Sequence, residues 1–196
     1  MEERIKTDLY EEETNLLTEY FKIKRPRIYL ELGVLQGVTM KKMVDISDKM
    51  SLDTTFYGID CFDRFLLPQH STHTGQIVGF AGIKKRFNHY KNVHLVASYT
   101  LDFLIKSYKS GKIFDFIFHD ADHNFNSVLA DLIASLPVLS SGGFVAVHNT
   151  SKTEEPDKFY YERDGGPRKA VDMLVKYKAY KTVKEKRRLT ILRKLP

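Results

Sequence analysis

The stretch of residues 113–125, IFDFIFHDADHNF, begins as an almost uninterrupted apolar run and ends in a cluster of titratable side chains. An apolar run of this kind predicts a strand that is covered on both faces, as in the parallel sheets of α/β proteins. The titratable residues occupy four of the next five positions: His119, Asp120, Asp122 and His123. Because ligands of open α/β sheets bind beyond the carboxyl ends of the strands, the stretch predicts a functional site. The alternative is the polar start of a helix, with Asp122 or Asn124 as its N-cap.

Strand patterns alternate with amphipathic helical patterns along most of the chain. We expect one domain of residues 1–196, in which a helical N-terminal segment (1–24) precedes the core (25–196). Strands are predicted over residues 27–32, 54–60, 93–98, 113–118, 144–147, 179–185 and 188–193, with a turn at residues 140–143. The intervening helices predict an α/β fold whose doubly wound, seven-stranded, mostly parallel sheet has helices on both faces. The last two strands predict a C-terminal antiparallel hairpin.

The composition excludes several classes of protein. Hydrophobic residues make up 42% and charged residues 29% of the chain, as in globular domains. No apolar run reaches membrane-spanning length, and the charged N-terminal residues lack the apolar core of a signal peptide. Cys61 is the single cysteine, which excludes an internal disulfide and suits a reducing compartment. We therefore expect a cytoplasmic protein with no membrane partner.

The net charge of +6 is distributed unevenly. Residues 167–196 contain eleven Lys and Arg against two acids, a local charge of +9. Such a segment can bind nucleic acid. Lysines on exposed edge strands, however, commonly form a solvated face that discourages aggregation, and this interpretation is the favoured one. Nucleic acid is therefore not the expected partner.

A glycine-containing turn follows the first predicted strand. Glu31, Gly33 and Gly37 lie between that strand and a helical pattern, which is the arrangement of a nucleotide-binding βα unit. The phosphate-binding GxGxxG motif is incomplete, because Leu35 stands where its second glycine belongs. The alternative is an ordinary βα turn that happens to contain two glycines.

Two further strands end in polar residues. Asp60 closes the second strand, 23 positions after Gly37, where a carboxylate can accept both hydroxyls of a ribose; alternatively it only caps a turn. His148 and Asn149 follow the fifth strand. Residues 62–79 and 150–166 predict long loops on this side of the sheet, and such loops are often functional. The pair His70 and His73 within the first loop is interpreted as ordinary surface residues rather than as a metal site.

With these motifs in place, residues 27–193 resemble the class I S-adenosylmethionine-dependent methyltransferases. Residues 31–37 match the family's first motif, and the missing glycine is understandable because this cofactor has no phosphate. The resemblance implies a Rossmann-like fold and S-adenosylmethionine as cofactor. It also implies the cofactor-binding residues Glu31, Gly33, Gly37, Asp60, Cys61, Ser98 and Asp120.

Residues 115–150 are similar to the macrocin, mycinamicin and cephalosporin-biosynthesis type of O-methyltransferase, and more distantly to catechol O-methyltransferases. That resemblance implies a small-molecule hydroxyl as methyl acceptor. It implies a divalent metal, Mg²⁺ or Mn²⁺, bound by Asp120, His148 and Asn149, and His123 as the catalytic base. Only Asp120 of this set is anionic, which weakens the binding of Mg²⁺ and favours softer ions such as Mn²⁺ or Fe²⁺. A metal-free enzyme, with Asp120 and His123 as an acid–base pair, is the open alternative.

Several other interpretations stay open at this point. An RNA methyltransferase is disfavoured, because neither an Asn/Asp-Pro-Pro-aromatic motif nor a Lys-Asp-Lys-Glu set stands out. A catalytically inactive cofactor-binding module is compatible with the incomplete metal set, and Leu35 disfavours a dehydrogenase. Strand alternation points His119 away from Asp120 and gives it a structural role, while Asp122 is expected to cap a helix. The sequence leaves open whether the protein is a homo-oligomer.

Overall fold

The computed structural model describes residues 9–62, 79–151 and 166–195. The helices are α1 (Glu11–Lys24), α2 (Val38–Lys49), α3 (Phe80–Phe87), α4 (Thr100–Lys109), α5 (Phe125–Ser135) and α6 (Gly166–Lys176). The strands are β1 (Ile28–Leu32), β2 (Thr55–Asp60), β3 (Val93–Ala97), β4 (Phe114–His119), β5 (Leu139–Val147), β6 (Tyr180–Lys186) and β7 (Leu189–Lys194).

The seven strands form one sheet in the order β3-β2-β1-β4-β5-β7-β6. Strands β1 to β5 pair in parallel, and β7 pairs antiparallel with both β5 and β6. This topology confirms the predicted α/β fold, the mostly parallel sheet and the C-terminal hairpin. Strand order reverses at β1, because β2 lies on one side of it and β4 on the other. Such a switch point opens a crevice at the carboxyl ends of the strands.

Two apolar cores cover the two faces of the sheet. One core joins α1, α2 and α3 to one face, with Phe21, Met40 and Phe56 among its buried side chains. The other joins α4, α5 and α6 to the opposite face, and Leu132 and Val171 are buried there. Since strand side chains alternate between faces, each central strand contributes to both cores, which explains the near-continuous apolar runs.

Helix α1 packs its apolar stripe onto the first core. Leu16, Leu17 and Phe21 are buried, and the ring of Phe21 lies edge-on to that of Tyr29, with centroids 5.6 Å apart. The same stripe contains a buried acid, Glu13, one helical turn before Leu17. A carboxylate in that position needs polar partners, and these come from outside the helix.

The prediction of a turn at residues 140–143 is wrong, because these residues lie within β5. Leu139 pairs with Phe114, whereas Phe144 already pairs with Phe116, so β5 contains extra residues in a bulge. Gly142 adopts φ +68°, a left-handed conformation that glycine tolerates and that a bulge requires. Turn-forming residues are thus used to bend a strand.

The prediction of Asp122 as a helix cap is also wrong. Asn124 is the N-cap of α5, and its side chain accepts a hydrogen bond from the backbone N–H of Asn126. The carboxylate of Asp122 accepts instead from the N–H of Asn124, 3.2 Å away. Asp122 thus stabilises the turn just before α5, and Asn124 caps the helix itself.

Two predicted loops lie almost wholly outside the described residues, namely most of residues 62–79 and of residues 150–166, including His70 and His73. Among the helices that are described, none combines the length and the apolar character needed to cross a bilayer.

Candidate functional site

The carboxyl ends of four neighbouring strands meet at one edge of the sheet. Backbone hydrogen bonds join them: Gly33 N–H to Ile59 O (2.8 Å), Ser98 N–H to Asp60 O (3.0 Å) and Asp120 N–H to Leu32 O (2.8 Å). Ser98, Asp60, the glycine turn and Asp120 are therefore side by side, at the ends of β3, β2, β1 and β4 respectively. This edge coincides with the switch point of the sheet, where a ligand is expected.

Asp60 organises the glycine turn. Its Oδ2 accepts from the backbone N–H groups of Val34 and Leu35, at 2.9 and 2.8 Å, and its Oδ1 accepts from that of Phe62 at 2.8 Å. The carboxylate thus does cap a turn, as the simpler interpretation held. A carboxylate oxygen can accept two hydrogen bonds, and among the described backbone groups Oδ1 accepts the one from Phe62. Beside it, burial raises the pKa of the Cys61 thiol, with the Asp60 charge adding to the effect, so Cys61 is neutral.

The turn requires left-handed backbone at three positions. Gly33 (φ +89°) and Gly37 (φ +74°) adopt it without strain, whereas Leu35 adopts φ +47° as a half-exposed non-glycine residue. A Cβ atom at Gly33 would lie 2.1 Å from the carbonyl oxygen of Asp120. Residues 31–37 therefore form the glycine turn although Leu35 stands in place of the middle glycine. The left-handed backbone of Leu35 costs about 1–2 kcal/mol of conformational energy.

Glu31 lies below this turn, in the interior. Its carboxyl group is almost fully buried and accepts a hydrogen bond of 3.0 Å from the hydroxyl of Tyr29. Burial raises the pKa of Glu31 well above its ordinary value, and the hydrogen bond from Tyr29 opposes this only in part. The structure therefore places Glu31 behind the glycine turn, and its predicted contact with a cofactor stays a prediction.

Asp120 is the centre of a polar cluster at the ends of β4 and β5. Its Oδ1 lies 2.9 Å from Nδ1 of His148 and 3.4 Å from Nε2 of His123. The amide nitrogen of Asn149 lies 2.8 Å from Nε2 of His123. The four residues that the sequence suggested for catalysis or metal binding are thus linked by contacts, over a separation of up to 29 positions.

A fifth member of the cluster comes from helix α1. Nε2 of His148 lies 3.4 Å from Oε2 of Glu13, a carboxylate with no exposed surface. Oε1 of Glu13 accepts from the backbone N–H of Arg188 at 2.9 Å, and Nε of Arg188 lies 3.4 Å away. His148 is therefore enclosed between two carboxylates, Asp120 on one ring nitrogen and Glu13 on the other.

The charges in this cluster depend on one another. Burial opposes ionisation of Asp120, but the charge of His148 and hydrogen bonds from His123 and His148 outweigh it and lower the pKa of Asp120 far below its ordinary value. Burial likewise opposes protonation of His148, but Asp120 and Glu13 raise the pKa of His148 to about 9. The cluster consequently holds a buried imidazolium between two carboxylates at neutral pH.

The free energy of unfolding is expected to fall as the pH rises from about 6.5 to about 9. The folded state keeps the His148 proton across this window while the unfolded state releases it, so the stabilisation is complete below the window and lost through it. The slope is at most about 1.4 kcal/mol per pH unit. Urea unfolding at pH values across the window measures it, and the slope should decrease in His148→Gln. An equal slope in that variant would contradict the assignment.

Metal binding requires lone pairs that point at a common position, and the cluster does not provide them. Both ring nitrogens of His148 are directed to carboxylates, and the amide nitrogen of Asn149 faces His123. Among residues 9–62, 79–151 and 166–195 there is no group of three or more His, Cys, Asp or Glu arranged to hold a metal ion. The described residues do not fit the divalent cation that the resemblance implies.

His119 lies apart from this cluster. Its Nε2 is 3.0 Å from Oδ2 of Asp131 on α5, and the hydroxyl of Thr100 donates to the same oxygen at 2.7 Å. The side chain is buried on the opposite face of the sheet from Asp120, as alternation along β4 predicted. It links α4 and α5 to the sheet.

Sequence reasoning missed Glu13, and the signal for it was present. Leu9, Glu13, Leu16 and Leu17 share one face of a helical pattern, so an acid occupies the apolar stripe. A carboxylate at such a position is seldom buried without a charged partner. The partner could not be named from the chain, because His148 is 135 residues away.

Solved structures share this fold over nearly the whole chain. An O-methyltransferase from Bacillus cereus, in complex with SAH, is 16% identical with a TM-score of 0.64; the match covers 96% of this chain and 83% of that one. A protein from Staphylococcus aureus described as a caffeoyl-CoA O-methyltransferase is 15% identical with a TM-score of 0.67, covering 97% and 86%. These TM-scores over nearly the whole chain show a common fold.

MycE, a methyltransferase of the mycinamycin biosynthetic pathway, was solved with Mg, SAH and mycinamycin VI. It is 14% identical with a TM-score of 0.62, and the match covers 92% of this chain but 48% of MycE. No curated protein sequence matches the chain significantly.

A family model is more decisive. The model of a methyltransferase domain matches residues 30–150, which is more than half of the chain and spans β1 to the end of β5. The matched segment contains the glycine turn, Asp60, Asp120, His123 and His148. The protein therefore belongs to this methyltransferase-domain family and has the fold of the class I S-adenosylmethionine-dependent methyltransferases.

Proposed function

We propose that the protein transfers a methyl group from S-adenosylmethionine to a hydroxyl group of a small molecule. The observation that carries the proposal is the position of His123, a partly exposed imidazole beside Asp120 and Asn149 at the switch point of the sheet. An imidazole nitrogen can accept a proton, which suits general base catalysis. The O-methyltransferase descriptions of the structural neighbours support the same chemistry.

The cofactor is proposed to bind across the ends of β1, β2 and β3. The glycine turn allows close approach, Asp60 offers carboxylate oxygens to a ribose hydroxyl, and Ser98 lies next to it. The thiol of Cys61 is neutral, so it suits the less polar surroundings of the cofactor's adenine base. The residues present fit S-adenosylmethionine, and neighbours with SAH bound support this choice.

The chain's own residues then prepare the acceptor. In the neutral ring with its proton on Nδ1, Nε2 of His123 accepts a hydrogen bond from the Asn149 amide, 2.8 Å away, and can take up a proton. An incoming hydroxyl takes the place of the amide, and its proton passes to Nε2 as its oxygen bonds to the methyl carbon. Bound S-adenosylmethionine supplies that carbon, and its sulfur retains the electron pair of the broken bond. Orientation of the hydroxyl contributes most of the remaining rate.

The basic C-terminal segment is accounted for without nucleic acid. Lys181, Lys184 and Lys186 are exposed on β6, an edge strand of the sheet, where lysines discourage pairing with another sheet. Arg168 pairs with Asp172 and Glu185. We therefore propose a small-molecule acceptor.

Calorimetric titration with S-adenosylhomocysteine tests the first half of the proposal. We expect saturable binding that is weakened in Asp60→Ala, and no binding at high micromolar ligand would overturn it. Transfer of labelled methyl from S-adenosylmethionine to a panel of phenols, sugars and polyketide alcohols tests the second half. Binding of the cofactor product without transfer to any acceptor would favour an inactive cofactor-binding module.

A further inference from the structure

We infer that this methyltransferase works without a divalent cation, because the His148 side chain, held between Asp120 and Glu13, takes the place of one. The inference rests on the proposed function for its catalytic meaning, whereas its structural content concerns cation binding alone. The positive charge beside Asp120 is then that of the His148 ring rather than that of a bound metal ion.

The first argument is the occupancy of Asp120. Its Oδ1 is contacted by Nδ1 of His148 at 2.9 Å and by Nε2 of His123 at 3.4 Å. A hard cation bound through this oxygen would have to displace the closer of the two rings. It would gain one anionic ligand and a neutral amide, which is a weak set for Mg²⁺.

The second argument is that His148 cannot turn to become a ligand. A metal-bound imidazole uses the lone pair of one nitrogen, and its other nitrogen donates a hydrogen bond. Here both nitrogens face carboxylates, and His148 and Glu13 are each almost fully buried. Rotation of the ring would separate a buried positive charge from both of its partners, which is strongly unfavourable.

The third argument concerns the origin of Glu13. This residue belongs to α1, which precedes the segment of residues 30–150 that the family model matches. It is fixed by three groups besides His148, namely the backbone N–H groups of Tyr10 and Arg188 and the guanidinium of Arg188. A carboxylate fixed in this way holds His148 against Asp120 rather than leaving it to adapt to a ligand.

The arrangement preserves the electrostatic role of a cation. Both ring nitrogens of His148 face carboxylate oxygens, so both donate and the ring is a cation, while the partly exposed guanidinium of Arg188 lies 3.4 Å from Glu13. Asp120 is thereby kept as an anion beside His123, where it can stabilise the imidazolium that forms when His123 accepts the proton of the substrate. A cation is needed neither to balance the site nor to orient His123.

Electron paramagnetic resonance of Mn²⁺ tests the inference on the full-length protein. For the wild type we expect no protein-bound Mn²⁺ signal at millimolar Mn²⁺, and methyl transfer unchanged by a strong chelator. In the double variant Glu13→Gln/His148→Asp, a second carboxylate faces Asp120 without the repulsion of Glu13. We expect its Mn²⁺ affinity to rise by about tenfold or more over the wild type.

His89→Asp is the matched control, because it adds the same charge at an exposed histidine outside the cluster. It should leave Mn²⁺ binding as in the wild type. If the double variant does not fold by circular dichroism, the wild-type titration still decides. Stoichiometric Mn²⁺ binding by the wild type that is lost in Asp120→Asn would overturn the inference. Since Mn²⁺ binding is measured without cofactor or acceptor, a failed S-adenosylhomocysteine titration would refute the proposed function and leave this result standing.

Discussion

Replacement of His123 by alanine is expected to lower the rate of methyl transfer by about 10²- to 10⁴-fold, the usual contribution of a general base. His123 Nε2 is the nitrogen at which the acceptor hydroxyl would lose its proton, and no other imidazole among the described residues is both in contact with Asp120 and partly exposed. The substrate hydroxyl keeps its proton without it, and a neutral alcohol is a poor nucleophile. Single-turnover kinetics with saturating S-adenosylmethionine measure the effect.

Cofactor affinity separates this effect from a general loss of structure. The ring of His123 is 19% exposed and lies beyond the end of β4, away from the cofactor-binding residues proposed on β1, β2 and β3. Binding of S-adenosylhomocysteine should therefore remain within about twofold of the wild type. His94→Ala, at an exposed position on β3, serves as the control and should leave the rate unchanged. A rate in His123→Ala within a few-fold of the wild type would show that another group accepts the proton.

Replacement of Gly33 by alanine is expected to lower the free energy of unfolding by about 3–5 kcal/mol, which is at the upper end for a single substitution. The new Cβ would lie 2.1 Å from the carbonyl oxygen of Asp120 and 2.7 Å from Cα of Ala121. Both are backbone atoms of a segment tied to β1 by the hydrogen bond from Asp120 N–H to Leu32 O. Neither can move without opening the sheet at the candidate site, so S-adenosylhomocysteine binding should be lost as well. Urea unfolding and calorimetry measure the two losses.

Gly111→Ala is a matched control for the conformational part of this cost. Gly111 has φ +68°, also left-handed, but a Cβ there would meet no atom within 4 Å. Its substitution should cost about 1–2 kcal/mol from backbone strain alone and leave ligand binding intact. The difference between the two variants isolates the clash with Asp120. Equal losses would mean that β1 and β4 are not in close contact beneath the turn.

Local patterns were sufficient for the architecture. Apolar runs indicated the parallel strands, and residues at spacings of three and four indicated the helices, because these periods follow from backbone geometry alone. The predicted strand over residues 54–60 is Thr55–Asp60 in the structure, and that over residues 93–98 is Val93–Ala97. The errors lie where one residue type serves two purposes. Gly142 suits a turn and a bulge equally, and Asp122 and Asn124 are both competent caps.

The sequence predicted which residues lie at the candidate site, but it did not predict the hydrogen bonds between them. Asp60, Asp120 and His148 each follow a strand, and parallel strands bring such residues to the same edge of a sheet. Which atom of Asp120 meets which nitrogen of His148 depends on side-chain directions that no spacing encodes. The residues of the predicted metal set are adjacent in space, but Asp120 and His148 bond to each other and Asn149 bonds to His123.

The stretch of residues 113–125 shows where the division lies. Its sequence determined that a buried strand would end in acids and imidazoles at the ligand-binding edge of an α/β sheet, because burial and strand polarity are properties of the local chain. Only the tertiary structure decided what those groups do. Glu13 approaches His148 from a helix 135 positions away, and its Oε2 lies 3.4 Å from Nε2 of that ring. Electrostatic interactions act through space, so the chemistry of this site depended on contacts that the order of residues does not contain.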